Sequence, residues 1–519
     1  MRQTLAAAVG LAMLPALALS GPAGANEPTD PTSPIQQAEQ FRGYWVDAFN
    51  AGSYSADQVT ALVADAVDLG ANALVVQTGR RFDCFCNDAL YPRTDAGIAP
   101  APYDPLAEVI RQAHAAGIEV HAWVNATTLW NSATPPRSPE HAFNAHGLVA
   151  SGTDRWLNQR ADGVEQVGTN TYADPANPAA VDYIVEAISS IATNYDVDGI
   201  NLDYIRYPDY NAGEFQNDWG YSETSLARFA AQTGRTDRPE PTDAEFSDWR
   251  RDQVSALVRK IYVALYEADP SDRLSVNGTT YAYGPVSYGG WEGARPFTNV
   301  LQDWKGWLDE GTVDTVTAMN YKREWVPEQA RMFDEWNDAL AEYAAGRHVV
   351  SGPALYLNEI PDAVQQARDV VNAGLDGWMG YSYANPSKTA TVSGNQAVKN
   401  SERQALAAAL KAEVFAASAL VPVMDWKTVP TAGLVTGTVV VRDGSVADQV
   451  DVMIHPIGQT PGERTVVRTD GSGWFGAVDL APGRYRVQVV EPGAQGTVSR
   501  IVGIRAGEIT QVSLPVGTV

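Results

Sequence analysis

The chain has 519 residues, is 45% hydrophobic and carries 14 Trp and 22 Tyr, enough apolar material for more than one packed core. Its 37 Lys and Arg against 62 Asp and Glu leave a formal net charge of −25. That balance repels polyanions and anionic lipid at long range, so nucleic acid is not an expected partner, while it sets no bar to a polysaccharide.

The chain opens with Arg2, an apolar run over residues 5–19 and the small residues Ala23-Gly24-Ala25, the pattern of a secretory signal peptide over residues 1–25 with cleavage after Ala25. The protein is therefore expected to be secreted. The run is too short for the roughly 20 residues that span a bilayer, and no later stretch is long and apolar enough. Residues 26–39, rich in Pro, Thr and Asp, read as a flexible leader. Cys84 and Cys86 form a local disulfide stapling a loop or remain free thiols; a metal site there lacks partners, since the six His are dispersed.

From residue 40 to 418 short apolar runs alternate with helical stretches. The runs cover 43–49, 73–77, 118–125, 199–205, 274–279, 313–321, 348–357 and 377–383; helical periodicity covers 55–69, 106–116, 179–195 and 246–268, with Gly70 and Gly117 as helix stops. Strand and helix alternating eight times predict an α/β fold of the TIM (β/α)8 barrel type. A doubly wound sheet would need a Gly-rich phosphate turn after the first strand, and YWVDAFNAG is not one. Residues 419–432 read as a linker. Residues 433–519 read as a small all-β sandwich, with runs at 437–441, 450–455, 464–468, 483–490 and 510–514.

The C-terminal ends of barrel strands face the active site, so chemistry is sought there. In DGINLDYIRYP, strand alternation places Asn201 and Asp203 on one face and Tyr204 on the other, and a carboxylate aimed into the barrel mouth costs desolvation that a structural role rarely justifies. The third strand offers His121, Trp123 and Asn125, a stacking ring between hydrogen-bonding side chains. Other tails offer Trp45 and Asp47, Gln77 and Arg80, Asn277, then Met319, Asn320 and Tyr321, then Trp378, Tyr381 and Tyr383. Aromatic, amide and carboxylate groups without a Lys or Gly cluster suit a polyhydroxylated ligand. No cofactor and no metal are expected, because the first strand lacks the His pair of metal-dependent barrels, and no G-x-S-x-G elbow marks a serine nucleophile. Glycoside hydrolysis needs two carboxylates. Asp203 is one, as nucleophile or base; Asp47, Asp83, Glu292, Glu324 and Glu359 are candidates for the other, with Glu324 ranked first.

The strings FRGYWVDAF, DALYP, GIEVHAWVN, DGINLDYIRYP, WRRDQV and LQDWKGWLDEGTVD, in that order over about residues 40–425, resemble the glycosyl-hydrolase-like 10 family, which includes hydrolases of bacterial cell-wall glycan. The resemblance implies a TIM-like barrel that cleaves glycosidic bonds, with members acting on peptide-free peptidoglycan strands. Carried over by motif, it implies Asp203 as catalytic and Arg42, Trp45, Arg80, Trp123, Asn125, Arg206 and Tyr321 as pocket residues; Tyr207 joins them as a candidate from the same string. Many members have a second Asp where this chain has Tyr204. The C-terminal stretch resembles carboxypeptidase regulatory-like or Cna-B-like modules. The expected whole is a monomeric exported glycosidase with possible cell-wall association; a catalytically silent barrel that binds wall polysaccharide is the alternative.

Overall fold

A strand buried on both faces cannot show the polar alternation of a surface strand, and the eight apolar runs behave accordingly. In the computed structural model, which describes residues 38–213, 216–458, 464–490 and 498–517, they form β1 Phe41–Val46, β2 Ala73–Gly79, β3 Glu119–Asn125, β4 Gly199–Asp203, β5 Arg273–Thr279, β6 Thr315–Met319, β7 His348–Ser351 and β8 Gly377–Tyr381. All neighbours pair in parallel and the sheet closes in sequence order, β8 returning to β1 through Trp378 opposite Arg42 and Tyr381 opposite Trp45. The predicted helices are Ala56–Leu69, Pro105–Ala115, Pro178–Asn194 and Ala244–Ala268. Gly70 and Gly117 both take positive φ, 78° and 72°, where a Cβ would clash with the backbone, so the helices stop there.

The pleat sorts side chains into two cores. Phe41, Trp45, Val75, Trp123, Val350 and Met379 fill the barrel interior, while Tyr44, Val46, Leu74, Ala122, Leu202 and Trp378 pack outward under the helices. The C-terminal region forms two sheets, Trp474–Leu480 / Gly433–Val441 / Ile509–Val516 and Thr465–Arg468 / Asp451–Pro456 / Gly483–Val490 / Ser499–Ile504, around Val435, Ile454, Phe475, Val487 and Leu514. Trp474–Leu480 and Ser499–Ile504 are strands that the sequence reading did not single out.

The stretches read as a flexible leader and as a linker are partly built into the fold. Ala38–Glu39 pairs in parallel with Ala419–Leu420, and Asp425–Thr428 is a helical turn, so residues at the end of the leader and through the linker are ordered against the N-terminal end of the barrel. The proposed signal peptide lies outside the described residues. Cys84 and Cys86 form a disulfide, and no helix among the described residues is long and apolar enough to cross a membrane.

Candidate active site

The C-terminal ends of the strands open into a basin of about 580 Å³. Its lining includes Trp45, Gln77, Trp123, Asn125, Asp203, Arg206, Asn277 and Tyr321, all anticipated, together with Tyr172, Tyr204, Asp209, Tyr281, Lys322, Arg323, Glu328 and Tyr381. Asp203 ends β4, opposite Asn125 at the end of β3. It is 6% exposed yet meets the basin, and its Oδ1 accepts the Tyr204 backbone N–H at 2.7 Å. Burial pushes its carboxyl above the usual carboxylate range, against the opposing pull of the Arg206 guanidinium, of the Tyr204 N–H and of the nearby Asn277 and Trp123 donors.

Aromatic rings form the walls. Tyr381 stacks on Tyr321 at 5.2 Å between centroids and meets the edges of Trp45 and Trp123 at 6.0 and 6.4 Å. Arg206 lies 4.5 Å from the Tyr204 ring centre. Amides are fixed by one another: Asn125 accepts Trp123 Nε1–H at 3.0 Å and Gln77 Nε2–H at 3.2 Å, and donates to the Arg80 carbonyl at 2.8 Å. Rigid rings beside oriented amides suit a pyranose, whose faces stack and whose hydroxyls pair laterally.

A second carboxylate is present, though not one that the sequence nominated. Asp209 lines the basin, accepts the Tyr281 hydroxyl at 2.9 Å and sits 3.6 Å from Arg206. Glu328 lies on the rim and accepts the Tyr283 hydroxyl. Glu324 is outside the lining: its backbone N–H binds Asn358 at 2.9 Å, and burial, with nearby Asp369 and Asp334, raises its carboxyl to about 7 behind the loop. Asp83 is tied to Arg81 and Thr94, and Glu359 accepts Thr389.

Other sequence candidates fail for two geometrical reasons. Arg42, Trp378 and Asn320 have the wrong parity. Arg42 alternates against Trp45 and points to the Ala417 carbonyl and the Phe415 ring; Trp378 alternates against Tyr381 and packs 5.8 Å from Phe415; Asn320 follows Met319 outward to the Phe333 carbonyl and Asn337. His121 and Asn201 have the right parity at the wrong height. His121 bonds Glu119 at 3.1 Å and meets Phe41 low in the barrel, and Asn201 donates to Ser275 at 2.9 Å one layer below Asp203.

Tyr207 is fully buried with Arg250 6.0 Å from its ring. Asp47 caps its own turn through the Phe49 and Asn50 N–H groups, and Arg80 holds the Ala48 carbonyl and approaches Phe49 and Phe85, so both shape the rim from behind. Tyr204, expected to face away, lines the basin because β4 ends at Asp203 and Tyr204 takes a left-handed φ of 49°, which breaks the alternation. A tyrosine in that conformation just after a carboxylate leaves no sequence signal. Tyr172, Asp209 and Tyr281 come from loops, where periodicity carries no information. Among the described residues no three His, Cys, Asp or Glu gather as a metal group would require.

The sequence profile described as "Glycosyl hydrolase-like 10" matches residues 40–371, the barrel and the strand tails that build this basin. The chain belongs to the glycosyl hydrolase-like 10 family. This member is 27% identical over 270 residues to "Glycosyl hydrolase YngK" of Bacillus subtilis (strain 168), covering 50% of this chain and 48% of that protein. It is 22% identical over 326 residues to "Glycosyl hydrolase DigH" of Escherichia coli (strain K12), covering 58% of this chain and 69% of that one. The family member thus spans about half the length of the first of these relatives. Among solved structures it is similar to the PgaB (BpsB) glycoside hydrolase domain from Bordetella bronchiseptica, at TM-score 0.49 and 15% identity over 70% of this chain and 98% of that one.

Proposed function

We propose that the protein hydrolyses glycosidic bonds of a polysaccharide, with peptide-free peptidoglycan strands as the substrate, by carboxylate acid–base catalysis. The observation that carries this is Asp203, a desolvated carboxyl at a barrel-strand terminus that opens on a basin walled by Trp and Tyr rings. Burial keeps a proton on Asp203 to a higher pH than an exposed carboxylate would, which suits it to protonate the departing glycosidic oxygen. This shifts its role from the nucleophile or base expected from sequence. Asp209, partly exposed and held by Tyr281 and Arg206, is the second carboxylate, as the nucleophile or as the base for water. Arg206, 3.6 Å from Asp209 and acting also on the Asp203 carboxyl, stabilises whichever carboxylate is ionised. The choice of cell-wall glycan follows the family resemblance. Export follows the N-terminal pattern and is supported by the Cys84–Cys86 disulfide, a bond that persists in oxidising compartments.

The test is Asp203→Asn, assayed by mass analysis of fragments released from peptide-free glycan strands. Loss of roughly 10²–10⁴ in kcat/KM is expected, the scale of one acid–base group. Undiminished release by the variant defeats the assignment, and saturable binding by the wild type without any release leaves a binding barrel in its place.

A further inference from the structure

The tail of β6 carries two cations that the hydrolytic chemistry leaves unused. Lys322 lines the basin, is 6% exposed, and donates to the Thr280 carbonyl at 2.7 Å. An ammonium has three donors. Among the described residues no second acceptor and no carboxylate meets this one, and burial alone accounts for the shift of its pKa to about 7. Arg323 lines the same wall, half-buried, its backbone N–H held by Gln329 Oε1 at 2.8 Å. The carboxylates of the basin are engaged elsewhere: Asp203 with Tyr204 and Arg206, Asp209 with Tyr281 and Arg206, Glu328 with Tyr283.

Removing a charge from water without a partner costs several kcal/mol, and a Met would fill the same space without that cost. A neutral Gln could make the single bond to Thr280. An ammonium is favoured at this position only when a counter-charge arrives, and near neutral pH an arriving anion draws Lys322 to its charged form. Helix Pro327–Tyr343 starts beside this wall, but its first turn carries the Glu328 carboxylate, which repels a phosphate from that helix start, so a single planar anion held between Lys322 and Arg323 fits better.

We propose that Lys322 and Arg323 form a subsite for a carboxylate of the glycan, so that the substrate class is a polysaccharide whose sugars carry free acid groups. The inference rests on the glycan reading above and sharpens it. A peptidoglycan strand stripped of peptide exposes a carboxylate on each lactyl ether, whereas a strand bearing peptide has that group consumed as an amide; the subsite therefore selects the stripped strand.

The experiment is calorimetric binding of the full chain carrying Asp203→Asn, which spares the probe from turnover. The probes are oligomers of peptide-free strand and the same oligomers with their carboxyls reduced to alcohols. The carboxylate form is expected to bind roughly tenfold more tightly or better, and Lys322→Met in the same background to bring the two affinities within about twofold. Equal binding of the two probes before Lys322 is changed, or an unchanged ratio after it, overturns the subsite. Should Lys322→Met fail to fold, Arg323→Gln decides: a ratio reduced at least about threefold supports the subsite, and an unaltered ratio overturns it. Because the readout is binding, the two proposals separate. Discrimination with no hydrolysis by the wild-type chain retains the subsite and defeats the hydrolase, and hydrolysis with no discrimination does the reverse.

Discussion

At the scale of single residues, Asp203 joins function to a cost in stability. Burial holds its carboxyl above the usual range, the pull of Arg206 notwithstanding. A carboxyl whose folded pKa exceeds its unfolded value of about 3.9 binds more protons when native, so its contribution is fully present below about pH 4 and is lost as pH rises through the folded value. Asp203→Asn removes that loss. Its Tm is expected to exceed the wild type's by roughly 1–3 °C at pH 8, with the gap closing toward pH 4. Calorimetry of both chains at the two pH values checks this, and a lower Tm for the variant at pH 8 contradicts a desolvated charge. Activity lowered and stability raised by one substitution is a combination that a merely structural aspartate would not give.

At the scale of elements, the strands aim the rings by alternation and the loops fix them by close approach. Gly352 follows β7, and a Cβ there would lie 2.2 Å from Cζ3 of Trp45 and 2.9 Å from the Ala318 carbonyl. The indole can keep its place in the barrel mouth only because that position has no side chain. Gly352→Ala is expected to destabilise the protein by roughly 1–3 kcal/mol in urea titration and to lower kcat/KM by displacing Trp45. An unshifted urea midpoint with full activity would mean that the indole is not pinned. Alternation was legible from β1 and β8, where Trp45 and Tyr381 face inward. Applied strictly it would have excluded Arg42 and Trp378, as it would Asn320 after β6. Height along the strand is not legible in the same way, which is why His121 and Asn201 were drawn into the site.

At the scale of the whole molecule, the chain after the barrel closes its N-terminal end and docks the sandwich. Lys427 pairs with Asp314 at 2.8 Å, both side chains almost fully buried, and Trp426 donates to the same carboxylate at 2.7 Å. Burial alone would raise the Asp314 carboxyl, and Lys427 overrides it, holding the group below its usual range. Lys427→Met strands that charge and is expected to cost about 3–5 kcal/mol in denaturant titration; Lys427→Met with Asp314→Leu should recover most of it. If the single variant costs under about 1 kcal/mol, the pair does not hold the closing segment. Beyond it, helix Ala244–Ala268 packs on strand Trp474–Leu480, and Arg228–Asp448 and Lys260–Asp470 tie barrel to sandwich at 2.7 and 2.8 Å. One calorimetric transition is expected for the wild type and two for Arg228→Ala with Lys260→Ala; two transitions in the wild type would show that the units unfold independently.

The order of amino acids alone carried the barrel, because strands buried on both faces must be apolar runs and their helices must repeat every 3.6 residues, so both patterns survive in one dimension. It also determined Asp203, Trp45, Trp123, Asn125 and Tyr321, whose inward parity near a strand's end follows from alternation alone. The second carboxylate of the basin, the inward turn of Tyr204 and the lack of a counter-charge at the Lys322 ammonium were set by the tertiary structure. Each depends on where a loop brings a side chain or on what fails to meet it, and residues distant in sequence settle both.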